Sequence, residues 1–243
     1  SQAPLHTLLA QVGVLMWAMR LPLFAIRGVS VVGDVTHYNA ATLRANVIPR
    51  LRGTFFTLDV NEARTLFEAM PWVRQAVVRR DFPNRLKVQL QEHQAIAFWG
   101  AEGDSRLVNS FGEVFEANVG EIESDNLPRL IGPEGQSAQV LAMHHTLGPL
   151  LLPLELKLDQ LELSPRGGWR ALLDTGTALE LGGGSAPELV ARLERFLKTA
   201  TQATSRYHRS VEQLASVDLR HTDGYAIRLN GVSTLNADEI KKR

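Results

Sequence analysis

Residues 59–93 read DVNEARTLFEAMPWVRQAVVRRDFPNRLKVQLQEH, and a helix, a turn and a strand are legible within them. Asp59 is a short polar residue able to accept hydrogen bonds from the first free amides of a helix. Glu62, three residues on, completes a capping box. Val60, Ala63, Phe67 and Met70 share one helical face, and Pro71 ends the helix. Further on, Leu86, Val88 and Leu90 alternate with Lys87, Gln89 and Gln91, the period-two pattern of a half-buried strand. Pro83-Asn84 supplies the turn before it, since Pro presets the first corner and Asn tolerates the second. Upstream, Ile26, Val29 and Val31 precede Gly33-Asp34, which predicts a strand ending in a turn. Residues 39–48 suit a helix that stops before Pro49. The order is strand-helix-helix-strand-strand, which can bury two helices on one face of a small sheet.

Downstream the pattern is richer in strands. Residues 95–99 and 106–115 read as strands, the second broken at Phe111-Gly112, and residues 136–150 read as a helix. Three short strands are expected at 161–164, 169–174 and 178–181. Ser185, followed by Pro187 and Glu188, caps a helix whose buried stripe is Leu189, Leu193, Phe196 and Ala200. Residues 217–221 and 225–229 flank Asp223-Gly224, a hairpin signal. Residues 236–243 are polar and are expected to fray. The fold class is therefore α+β, with two domains meeting near Glu92-His93.

At the other end, residues 3–19 form an apolar run broken by His6 and Gln11, with Trp17 and Arg20 marking a water-facing edge. A membrane span needs about 20 apolar residues. The run fits either the trailing part of a span or an amphipathic arm packed on the domain.

Composition removes several functions. The 243 residues are 44% hydrophobic and balance to zero net charge, with no long basic stripe to serve a nucleic-acid groove. Cysteine is absent, so disulfides, thiolate nucleophiles and sulfur-ligated metals are excluded. His144-His145 invites a metal reading, but adjacent helical residues point about 100° apart and cannot easily share an ion. His93 beside Glu92 offers little for acid-base work at a domain junction. Gly182-Gly183-Gly184-Ser185 lacks the Gly-Lys-Ser/Thr ending of a phosphate loop. No Gly-x-Ser-x-Gly nucleophile elbow exists. The residues point to no enzyme, cofactor, metal or small-molecule substrate.

Several short stretches, taken in order, resemble one family. They are RLPLF at 20–24, PWV at 71–73, RRDFP at 79–83, LKV at 86–88 and Glu92-His93. LSPRGGW at 163–169, LELG at 179–182, RLERF at 192–196 and VDLR at 217–220 follow. Together they resemble the FtsQ/DivIB family of bacterial cell-division proteins. The resemblance implies a transmembrane remnant over 1–23, a POTRA domain (β-α-α-β-β) over 24–93, a β domain with flanking helices over 94–231, and a tail over 232–243. It implies a single-pass inner-membrane scaffold, its bulk in the periplasm at the division septum, which helps to control wall synthesis.

The partners implied are FtsB and FtsL. An exposed last strand offers unpaired peptide groups that a partner strand can satisfy by β-augmentation. The residues expected to serve are Gly224, Tyr225, Ala226, Ile227 and Leu229, with Arg166, Arg220 and His221 beside them. Forked guanidinium groups suit partner carboxylates. Two positions depart from the family pattern: His221 stands where Tyr is common, and Leu229 where an aromatic residue is frequent. Arg79, Arg80 and Asp81 read either as a solvated strand end or as a docking edge. A second reading is a chaperone-like POTRA module of an outer-membrane transporter, which would carry a long series of lipid-facing strands. A third, a periplasmic hydrolase, lacks a defensible nucleophile-base pair.

Overall fold

Leu86, Val88 and Leu90 point one way from a central strand, and that alternation organises the first part of the molecule. The structure is a computed structural model that describes residues 3–122, 126–205 and 213–231; the predicted tail at 232–243 lies outside them. The chain divides after Gln94 into two compact units, with the segment 116–121 grouped with the first.

In the first unit, α1 (Ala3–Ala18) precedes β1 (Gly28–Asp34), α2 (Ala40–Val47), α3 (Val60–Glu68), β2 (Val73–Asp81) and β3 (Arg85–Glu92). β3 is central, parallel to β1 and antiparallel to β2. Leu86, Val88 and Leu90 meet Leu43 and Val47 of α2 and Ala63 and Phe67 of α3 in one core. Both helices start on side-chain caps. Asn39 Oδ1 accepts from the Thr42 amide at 2.7 Å, and Asp59 Oδ1 accepts from the Asn61 amide at 2.9 Å.

Gly33-Asp34 is not a turn. β1 continues through both residues, which pair with Leu90 and Gln91. Gly33 has φ 114°, and a Cβ there would stand 2.2 Å from the Leu90 carbonyl oxygen. Glycine here permits close approach of two backbones rather than a reversal. Phe82, Pro83 and Asn84 form the β2–β3 turn, and the Phe82–Pro83 peptide is cis.

α1 has 16 residues, about 24 Å of helix, against a hydrocarbon core of about 30 Å. Among the described residues no helix is long and apolar enough to cross a membrane. Its large apolar side chains, from Leu5 (66% exposed) to Trp17 (66%), are open to solvent on every side. An amphipathic arm would bury one face, and α1 does not.

The second unit is one nine-stranded mixed sheet with two helices. Its elements are β4 (Ala95–Trp99), β5 (Arg106–Asn109), β6 (Val114–Glu116), β7 (Arg129–Ile131), α4 (Ser137–Leu151), β8 (Leu158–Leu163), β9 (Trp169–Leu173), β10 (Ala178–Gly182), α5 (Ala186–Ser205), β11 (Leu214–Asp218) and β12 (Ala226–Leu229). Strand order across the sheet is β12-β11-β10-β9-β8-β7-β4-β5-β6. α4 packs over β7 and β8, and α5 over β10. The predicted stripe of Leu189, Leu193, Phe196 and Ala200 is wholly buried, joined by Trp99, Leu130, Leu161 and Trp169.

β7 has no counterpart among the predicted strands. It is three residues long, too short for a period-two pattern, yet it bridges β4 and β8 and unites the sheet. β8 begins three residues earlier than the predicted 161. The last hairpin also shifts: β11 ends at Asp218 and β12 starts at Ala226, so the connection is residues 219–225 rather than a tight Asp-Gly turn.

Candidate partner-binding edge

β12 is the terminal strand of its sheet, paired antiparallel to β11 on one side alone among the described residues. Leu214 faces Leu229, Val217 faces Ile227, and Asp218 faces Ala226. The Asn230 amide donates to the Gln213 carbonyl at 3.0 Å. Antiparallel strands alternate hydrogen-bonded and unbonded pairs. The peptide groups of Ile227 and Leu229 therefore face away from β11, towards the open edge. The register shift falls between Leu214 and Ser216 on β11, so β12 keeps a regular alternation. Side chains alternate the other way: Leu229 is buried, Ile227 and Tyr225 pack on the core, and Ala226 and Arg228 are exposed.

Tyr225 lies just before the strand. Its ring meets Phe196 of α5 edge-on, centroids 5.2 Å apart, and its hydroxyl bonds Thr199 Oγ1. It anchors the loop to the helix beneath. A second anchor is Arg195, also on α5. Its Nη1 donates to the Thr222 carbonyl at 2.7 Å, and Nη2 donates to those of His221 at 3.0 Å and Gly224 at 3.3 Å. One guanidinium thus gathers three carbonyls of the 219–225 loop, while its buried Nε has no partner. The sequence reading passed over Arg195 as a loop anchor. The available signal was its place immediately before Phe196 of the buried stripe, where a long cation is held against the body of the protein.

Arg220 leaves β11 and folds back on Asp218. Nε meets Oδ1 at 2.9 Å and Nη2 meets Oδ2 at 2.7 Å, and the Arg220 amide donates to Oδ1 at 3.0 Å. The Arg220 side chain, helped by its amide, holds the Asp218 carboxyl well below the usual carboxylate range, outweighing the opposing effect of burial. The fork expected to take a partner carboxylate is thus occupied within the chain through Nε and Nη2, and Nη1 is not used by Asp218. His221 Nε2 stands 3.9 Å from the same carboxylate.

Arg166 sits at the exposed tip of the β8–β9 turn, which the Gly167 and Gly168 amides close on Ser164. A Cβ on Gly183 would lie 3.5 Å from the Gly167 carbonyl oxygen, and one on Gly182 3.0 Å from Arg220 Cγ. The turn carrying Arg166, the glycines after β10 and Arg220 therefore form one end of the sheet, next to the start of β12. The glycines make no anion cradle. Arg192 Nη1 bonds the Leu181 and Gly183 carbonyls at 2.8 and 2.6 Å, and Glu188 Oε2 lies 2.2 Å from where a Gly184 Cβ would be.

The first unit treats its candidates unequally. Arg80 Nε donates to the Phe55 carbonyl at 2.8 Å, and its Nη2 bonds the Leu58 carbonyl. Arg80 therefore staples the 54–58 loop, while Arg79 and Asp81 stay exposed on β2, an edge strand. Glu92 is held by the 36–37 segment. Burial disfavours its charge, but His37 Nδ1 at 2.8 Å and Thr36 Oγ1 at 2.8 Å, with both backbone amides, outweigh this and hold its carboxyl below the ordinary value. His37 in turn stacks flat on Trp72, centroids 3.6 Å apart. His144 bonds the Leu158 carbonyl at 3.1 Å, and burial lowers its pKa. Among the described residues no three or more His, Asp or Glu are grouped to hold a metal ion.

Comparison with known proteins follows the same division. Residues 24–93 match the POTRA domain of FtsQ type, and residues 97–220 match the family described as cell division protein FtsQ/DivIB, C-terminal. The chain is 40% identical to the cell division protein FtsQ of Thiomonas arsenitoxydans over 220 residues, 89% of this chain and 79% of that one. It is 39% identical to the FtsQ of Burkholderia pseudomallei over 93% of this chain and 88% of that one. With the FtsQ of Vibrio cholerae it shares 33% identity over 87% and 77%. The second family match stops at Arg220, short of β12. On both folded units and on these relatives, the chain belongs to the FtsQ/DivIB family of cell-division proteins.

Proposed function

We propose that this chain is a non-enzymatic division scaffold that receives a strand of FtsB, held with FtsL, on the open edge of β12. One observation carries the reading: among the described residues β12 ends its sheet, with the peptide groups of Ile227 and Leu229 facing outward. An added strand would satisfy those groups and extend the sheet by main-chain pairing. Arg166, Arg220 and His221 flank the point where such a strand would enter. Arg220 would share its guanidinium between Asp218 and the partner, offering Nη1, which Asp218 does not use. In this reading α1 is the end of a single inner-membrane span, supported by its apolar surface exposed all round. Both folded units then lie in the periplasm at the septum, where the scaffold helps to regulate wall synthesis. Arg79 and Asp81 on β2 offer a second docking edge for other division proteins.

Co-purification with FtsB and FtsL tests this directly. Ile227→Pro removes an outward amide while leaving the bonds to β11 in place, and proline is tolerated on edge strands. The variant should stay folded, with a thermal transition lowered by the lost Ile227 packing, yet lose most FtsB capture. Full capture by a folded Ile227→Pro protein would contradict the proposal.

A further inference from the structure

The end of the first unit from which α1 departs is both aromatic and basic. The Met19 carbonyl accepts from Thr54 Oγ1 at 2.5 Å, which ties the exit of α1 to the loop 54–58. From that loop an edge-to-face chain of rings runs outward. Phe24 meets Phe56 at 4.9 Å, Phe56 meets Phe55 at 5.1 Å, and Phe55 meets Phe82 at 5.7 Å. Phe55 is the buried base, whereas Phe82 is 71% exposed, Phe56 41% and nearby Leu23 67%. Arg80 fixes this loop through the Phe55 and Leu58 carbonyls. Such rings are held out to solvent by an ordered framework.

Charge follows the same end. β1 begins here, β2 ends here and β3 begins here, since Gly28 pairs with Arg85 and Arg85 with Asp81. Over residues 19–28, 48–59 and 79–85 the exposed arginines are Arg20, Arg27, Arg50, Arg52, Arg79 and Arg85, beside the tethered Arg80. The acidic residues there are Asp59 and Asp81 alone. In a chain of zero net charge this is a local excess of cations around exposed rings.

We infer that this end of the first unit is a lipid-contact surface, seated on an anionic phospholipid bilayer. Aromatic rings and long cations suit the interfacial layer, where rings enter the headgroup zone and guanidinium groups meet phosphates. Continuity selects the occupant, because the surface begins where the apolar α1 ends. Trp17, exposed on the last turn of α1, would lie at the same depth. The unit would then stand on the membrane rather than swing from a tether. This inference rests on the reading of α1 as the end of a span.

The 243 residues lack cysteine, so one thiol introduced among them can carry one environment-sensitive fluorophore. The 243-residue chain carrying Phe82→Cys, Leu9→Cys or, as a control on the open face of the sheet, Gln89→Cys would be labelled and placed in phosphatidylglycerol-containing or purely phosphatidylcholine vesicles. Lipid-borne nitroxides then report depth. The label at 82 should be quenched on anionic vesicles and much less on neutral ones, with the label at 89 unaffected. Each of Arg52→Glu and Arg79→Glu should weaken that preference about fivefold or more, as about 1 kcal/mol per basic residue near such a surface implies. Quenching at 9 without quenching at 82 overturns the lipid-contact surface and leaves the anchor standing. Quenching at neither position removes both. Shielding of the label at 82 only when FtsB and FtsL are added would overturn the inference in favour of a protein contact.

Discussion

Arg195 and Asp218 shape the candidate edge more than any residue of the edge itself. Arg195 gathers three loop carbonyls, and hydrogen bonds to charged groups contribute about 1.5–3 kcal/mol each at most. Arg195→Ala should lower stability by about 1–3 kcal/mol and speed amide exchange across 219–225. A melt and exchange profile matching wild type would contradict the anchoring role. Asp218 has a depressed pKa, so its contribution is complete above the ordinary carboxylate range of about 4. It is lost only as pH falls towards the lowered value. The Arg220 amide, bonded to that carboxylate, should therefore keep its NMR shift from neutral pH down to about 4. A protonation step at the Asp218 carboxyl carbon itself above that value would disprove the clamp. None of this was legible in the sequence. Arg220 reads as a free surface fork until the chain is seen to turn back on Asp218, a contact two residues away that no periodicity reports.

Elements were read well where periodicity was long and poorly where it was short. α3 needed only Asp59 and the spacing of Ala63 and Phe67, all local signals, and both side chains are buried. Asp59→Ala should cost about 1 kcal/mol and Phe67→Ala about 3–5 kcal/mol, measured by denaturant unfolding. Near-equal effects would show that the helix is held differently. β7 escaped because three residues carry no pattern, and Gly33-Asp34 misled because glycine signals close approach as readily as a turn. In the final hairpin both strands were found, but β11 lies three residues earlier than expected and β12 starts one residue later. Arg195 and Tyr225 hold the intervening loop from outside the hairpin, which local turn chemistry cannot register.

At the scale of the molecule, the strand-helix-helix-strand-strand order of the first unit followed from the residues, and the strand-rich second unit followed in outline. Which strand ends the sheet did not. That depends on β7, parallel to both β4 and β8, and on β11, which pairs in parallel with β10 and carries β12 antiparallel on its other side. The open edge is thus a property of the assembled sheet. Backbone amide exchange at that edge is the most direct test of the scaffold reading. In the free protein the Ile227 and Leu229 amides should exchange quickly, while that of Arg228, turned towards β11, is protected. Adding FtsB with FtsL should slow Ile227 and Leu229 at least tenfold, an extra protection of about 1.4 kcal/mol or more. If the complex forms and those two amides exchange as before, β12 is not where the partner strand binds.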